Sequence, residues 1–125
     1  MDRTKAREMN PVVLAFVGDA VYSLFVRERL AFTSGKKTGE LNKLAVSEVR
    51  ATAQAEFYAR VKGLLTEEED GVFHRARNAK KPTKSKSATV AEYNVSTGLE
   101  AVLGFLYIVG DLERLNFILN EGKTE

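Results

Sequence analysis

Leu14-Ala15-Phe16-Val17-Gly18-Asp19-Ala20-Val21-Tyr22 sets one carboxylate in the middle of an apolar run. From Val12 to Val26 the only ionisable side chain besides the Tyr22 phenol is Asp19, so a buried helix here would carry a charge into the core. An isolated buried carboxylate is strongly unfavourable unless something pairs with it. A second stretch has the same character: Ser96-Thr97-Gly98-Leu99-Glu100-Ala101-Val102-Leu103-Gly104-Phe105-Leu106-Tyr107 is apolar apart from small polar residues and one acid, Glu100. Gly18, Gly98 and Gly104 beside these acids suggest helices packed closely enough for both carboxylates to face a common point.

Outward from these two segments the chain reads as helix after helix, an all-α single domain over residues 1–125 with its core at about 10–120. Asn10-Pro11 is a start signal, and the apolar pattern that follows runs to about Leu30. Thr38 is expected to cap one long helix through Leu41, Leu44, Ala45, Val49, Ala53, Phe57 and Val61, closed by Gly63. Thr66-Glu67-Glu68-Glu69 is a capping box, with acids at the positive end of a helix that reaches about Ala79. Lys80 to Ala88, with Pro82, reads as an exposed basic loop spanning about 78–89. Thr89-Val90-Ala91-Glu92 is a second capping box; it opens the helix carrying Glu100, and Gly110 closes that helix. Asp111 caps a last helix through Leu115, Ile118 and Leu119. Nothing alternates as a strand would.

Composition bounds the chemistry. With 125 residues and 44% hydrophobic content there is enough apolar surface for one core. The absence of cysteine leaves no disulfide and no thiolate metal site, and no apolar run approaches the length of a membrane span, so a cytoplasmic protein is the expectation. The net charge of +2 hides an asymmetry. Between Gly71 and Ala91 there are six Lys or Arg and no acid, leaving thirteen bases against seventeen acids elsewhere. A basic segment on an acidic body points to an anionic partner.

Two carboxylates brought together repel, and one of them takes up a proton, unless a cation sits between them. With no Cys and a single His, oxygen donors select a hard ion, Mg²⁺ or Mn²⁺. A hard ion beside a basic segment suits phosphate chemistry. From the residues alone a blander reading stays open: each acid pairs with a Lys or Arg or accepts backbone N–H groups, and the basic stretch is a solvated loop. No aromatic is interleaved from Arg75 to Lys86 to stack on bases. His74, without a second His or a visible nucleophile, reads as a surface side chain.

The two acidic segments resemble the signature helix and the second acidic helix of the ribonuclease III catalytic domain. Phe73-His74-Arg75-Ala76-Arg77-Asn78-Ala79-Lys80, together with Tyr93-Asn94-Val95-Ser96-Thr97, resembles the Mini-ribonuclease III branch in particular. That branch lacks the double-stranded-RNA-binding domain, and the chain ends where such a domain would begin. The likeness covers roughly Asn10 to Leu119.

The resemblance implies a ribonuclease III-type helical fold, with Asp19 as the catalytic aspartate and Glu100 as the metal-binding glutamate. It implies that both acids hold Mg²⁺, for which Mn²⁺ substitutes. It departs from the wider family at Val12, Ala15 and Thr97, where further carboxylates are usual. It also implies a homodimer that cuts both strands of double-stranded RNA by metal-assisted hydrolysis and leaves 5′ phosphates. The expected substrate is precursor 23S ribosomal RNA, in company with a ribosomal protein. Arg75, Arg77, Asn78, Lys80, Lys81, Lys84 and Lys86 are the expected RNA contacts. The competing expectation is a non-catalytic duplex-RNA-binding or ribosome-assembly dimer of the same fold.

Overall fold

A computed structural model of the chain describes residues 1–33, 35–81 and 88–123. Among them are seven α-helices and no strand: α1 Arg3–Glu8, α2 Pro11–Thr33, α3 Thr38–Val49, α4 Ala51–Val61, α5 Glu67–Asn78, α6 Val90–Val109 and α7 Leu112–Gly122. A 3-10 turn at Lys62–Leu64 follows α4.

Local chemistry sets most boundaries. Asn10 Oδ1 accepts from Val12 N at 2.9 Å, and Pro11 opens α2. Thr66 and Thr89 each close a reciprocal capping box, the first with Glu69 and the second with Glu92. The Asp111 side chain accepts from Arg114 N at 3.2 Å. Gly110 ends α6 in the left-handed conformation at φ 78°, which glycine adopts without steric cost.

The centre of the molecule is α6, buried from Ser96 to Leu106 except at Glu100, which is half-buried. Helices α1, α2, α4, α5 and α7 all pack on it, α2 most extensively. Gly18 and Gly104 allow that approach. A Cβ on Gly18 would lie 1.6 Å from Glu100 O, and one on Gly104 would lie 2.0 Å from Leu14 O, so the two backbones touch. Around this seam the core gathers Leu14, Tyr22, Val26, Phe57, Phe73, Leu99, Val102, Leu103, Phe105, Leu106 and Ile118.

Four features differ from expectation. The stretch from Thr38 to Val61 is two helices, broken at Arg50 where the backbone turns extended (φ −64°, ψ 154°). Neither Pro nor Gly marks the break; its cause is tertiary, because α3 lies on α2 while α4 turns in against α6. Ion pairing of Arg29 with Glu48 ties the end of α3 to α2, and Gln54 Nε2 donates to the freed Val49 carbonyl at 2.9 Å. Thr38 is the first helical residue rather than the cap, and Gly63 sits inside the 3-10 turn without a positive φ. Finally, α1 precedes the first expected helix. Its six residues bury only Ala6, and Arg3 and Arg7 pair with Glu68 at 2.8 and 2.9 Å, while Arg3 reaches Asp111 at 3.3 Å.

Candidate active site

The cleft where α2, α4 and α6 meet holds both acids singled out in the sequence. It is open, about 440 Å³, and its lining includes Val12, Ala15, Phe16 and Asp19 from α2, Arg50, Ala51 and Gln54 at the start of α4, and Tyr93, Ser96, Thr97 and Glu100 from α6. Lys81, just past α5, also reaches it. Val12, Ala15 and Thr97, the three departures from the wider family, therefore stand around the acids and leave two carboxylates there. Among the described residues there is no cluster of three or more His, Cys, Asp or Glu.

The acids are not buried as their apolar flanks suggest. Asp19 is exposed, because α2 is buried on one side only: Leu14, Ala15, Gly18, Tyr22 and Val26 face inward while Asp19 lies on the solvent side of that stripe. Glu100 is the more enclosed of the two. Burial and then the hydrogen bond and charge of the adjoining Asp19 push its carboxyl up to about 9, against the Gln54 bond, which favours the ionised form. Gln54 Nε2 donates to Glu100 Oε2 at 3.3 Å. Two adjoining carboxyls, with Glu100 pushed toward its protonated form, are a site where a divalent cation can take a proton's place. The described lining holds neither Cys nor His, and the carboxylate oxygens of the two acids suit a hard ion such as Mg²⁺.

The basic residues divide. Lys81 Nζ donates to Arg77 O at 2.9 Å and Ala79 O at 2.7 Å, so it caps the C-terminal end of α5 while lining the cleft, and burial lowers its pKa. Arg77 lies over the Phe73 ring at 5.8 Å, and its Nε donates to Asn78 Oδ1 at 3.2 Å. Lys80 is exposed beside them. Arg75 instead lines a separate hollow with Thr4, Arg7 and Glu68. Lys84 and Lys86 lie outside the described residues. His74 is exposed, edge-on to Phe73.

Sequence reasoning missed Gln54 and Arg50. Gln54 occupies a position three residues before Phe57 and seven before Val61, on the buried stripe of α4, and a polar residue at an apolar register was the available signal. Arg50 lines this cleft and also a neighbouring cavity of about 230 Å³ with Arg29, Arg60 and Tyr22.

Comparison with known proteins agrees with this architecture. Residues 12–111 match the Ribonuclease III domain. Mini-ribonuclease 3 of a Thermoanaerobacter species is 45% identical over 111 residues, covering 89% of this chain and 78% of that one. The Mini-ribonuclease 3 of Symbiobacterium thermophilum is 46% identical over 109 residues, 87% of this chain and 84% of its own. A crystal structure of a Fusobacterium nucleatum protein superposes with a TM-score of 0.83 at 34% identity, covering 91% of both chains. The chain belongs to the ribonuclease III family, alongside the Mini-ribonuclease 3 proteins, and is an endoribonuclease.

Proposed function

We propose that this member of a family of double-stranded-RNA endoribonucleases cuts both strands of its duplex at the α2/α4/α6 cleft, with Asp19 and Glu100 holding Mg²⁺ or Mn²⁺. The observation that carries the reading is the convergence of those two acids from α2 and α6 on one open cleft. When bound, the ion supplies Lewis acidity for phosphodiester hydrolysis, leaving a 5′ phosphate and a 3′ hydroxyl. The side chains do the rest. Asp19, exposed, faces the incoming backbone, while Glu100 is fixed from behind by Gln54. Lys81 and Arg50 line the same cleft and offer positive charge to the phosphates on either side of the cut. Arg77, Asn78 and Lys80 continue that surface, and Lys84 and Lys86 extend the basic segment. Duplex RNA is recognised mainly through shape, phosphates and 2′-hydroxyls, so sequence preference is modest.

The natural substrate in this reading is the stem formed by the ends of precursor 23S ribosomal RNA, presented in the cytoplasm together with a ribosomal protein. A homodimer places two clefts on one duplex. Its support is an apolar stripe on the exposed side of α2, where Phe16 is 80% and Leu24 65% accessible beside Val13.

The test is cleavage of a long duplex RNA with and without Mg²⁺, with Asp19→Asn alongside. Loss of cutting in a variant that unfolds like the wild type supports the assignment, and retained turnover sinks it. Replacing Lys80, Lys81, Lys84 and Lys86 by Ala should lower RNA affinity and reduce the slope of log affinity against log salt by about 0.7–0.9 for each phosphate no longer neutralised. An unchanged slope removes this segment from the RNA surface.

A further inference from the structure

Gln54 is the polar side chain that the fold encloses most completely at this cleft. It is 2% exposed, on the face of α4 that packs against α6. Its Nε2 donates to Val49 O at 2.9 Å and to Glu100 Oε2 at 3.3 Å. The Val49 carbonyl can only accept, so the amide cannot be turned over without setting its carbonyl oxygen against two other oxygens. Its orientation is fixed. The remaining atom, Oε1, is buried and has no hydrogen-bond partner among the described residues. A buried acceptor without a donor is strongly unfavourable, and such atoms are kept where something outside the chain supplies the donor.

The cleft points to what that donor is. Val12 and Ala15 bring no polar side chain to the lining, Ser96 and Thr97 donate to Tyr93 O, and Lys81 donates to Arg77 O and Ala79 O, whereas Gln54 donates to Glu100 itself. Mg²⁺ keeps several of its waters when bound by one or two carboxylates, and those waters are strong donors. Residues that hydrogen-bond metal ligands fix their orientation, and their loss weakens binding. Taking Asp19 and Glu100 as the ligands, we infer that Gln54 is a positioning residue of the metal site. Its N–H holds one oxygen of Glu100, leaving the other for the ion, and its Oε1 accepts from a water of the hydrated ion. The same amide caps Val49, so the break between α3 and α4 is what delivers it to Glu100.

Binding of Mn²⁺ to the purified protein without RNA, followed by the electron paramagnetic resonance signal of the free ion, tests this. Gln54→Met keeps the volume and removes both polar atoms; Gln54→Asn keeps the amide but withdraws it by one methylene. Both should bind Mn²⁺ about 10- to 100-fold more weakly while unfolding in one cooperative transition. Cleavage by both should recover as Mn²⁺ is raised, which a merely damaged fold would not do. If the Met variant does not fold, the Asn variant carries the measurement. Wild-type Mn²⁺ affinity in a folded Gln54 variant overturns the inference. Asp19→Asn separates the two levels: if it too binds Mn²⁺ like the wild type, the ligand assignment itself falls, whereas its loss alone removes only the role of Gln54.

Discussion

Glu100 shows how one residue couples stability to the ion it is proposed to hold. Its ordinary carboxyl value of 4.5 is pushed up to about 9, first by burial and then by Asp19. The folded chain therefore binds a proton there that the unfolded chain releases, and stability falls as pH rises from about 4.5 towards 9. Asp19, Lys81 and Arg50 share the cleft with Glu100, and Asp19 is the charge that raises its carboxyl value. Glu100→Gln should raise metal-free stability at pH 8 by on the order of 1–3 kcal/mol, with the gap closing near pH 5. Thermal unfolding in a chelator measures it, and a gap independent of pH would contradict burial and Asp19 as its cause. That the two acids come to one place was legible in the sequence, because each interrupts an otherwise apolar run with glycines close by. That Asp19 is exposed was not, since a helix buried on one side looks, in a nearly all-apolar stretch, like one buried on every side. Gln54 escaped notice because its significance is a contact with a residue 46 positions away.

Whole elements were legible where a local signal terminates them. Thr66, Thr89, Asp111 and Gly110 act through neighbours three or four residues away, and each cap is present as expected. The break at Arg50 has no such signal and follows from two helices claiming different sides of the bundle; the short α1 has a local cap, Asp2 Oδ1 accepting from Thr4 N at 2.7 Å, but no apolar periodicity to announce it, and ion pairs to Glu68 and Asp111 hold it in place. The join between α5 and α7 is likewise tertiary. Glu69, 1% exposed, completes the α5 capping box and accepts Arg114 Nε at 2.8 Å; Arg114 also donates to Leu64 O. Burial works against the charge on Glu69, but Arg114 and the Thr66 N–H outweigh it and lower its pKa. This contribution is present above about pH 4.5 and is lost as pH falls through the lowered value. Arg114→Ala should cost about 3 kcal/mol, because it strands a buried carboxylate, and should move the denaturant midpoint at neutral pH accordingly. A shift of a few tenths would show that the pair contributes little.

At the scale of the molecule α1, α2, α4, α5 and α7 gather around α6, and the exposed side of α2 presents Val13, Phe16 and Leu24 to solvent next to the acids. Phe16 lines the cleft while standing mostly in solvent, so a partner covering it would also wall the site. Sedimentation of the wild type at micromolar concentration should give a dimer, and Phe16→Asp should shift it to monomer without loss of helicity. A wild-type monomer in the presence of uncut duplex would remove the two-cleft arrangement. The seam between α2 and α6 has a separate consequence. At Gly18 and Gly104 main chain meets main chain, so the distance between the elements that carry Asp19 and Glu100 is set by peptide groups and not by the volumes of core side chains. The spacing of the acids is thus a gauge cut into the backbone. Exchanging Leu, Ile or Phe elsewhere in the interior leaves those main-chain contacts in place, whereas a side chain at Gly18 or Gly104 would force them apart.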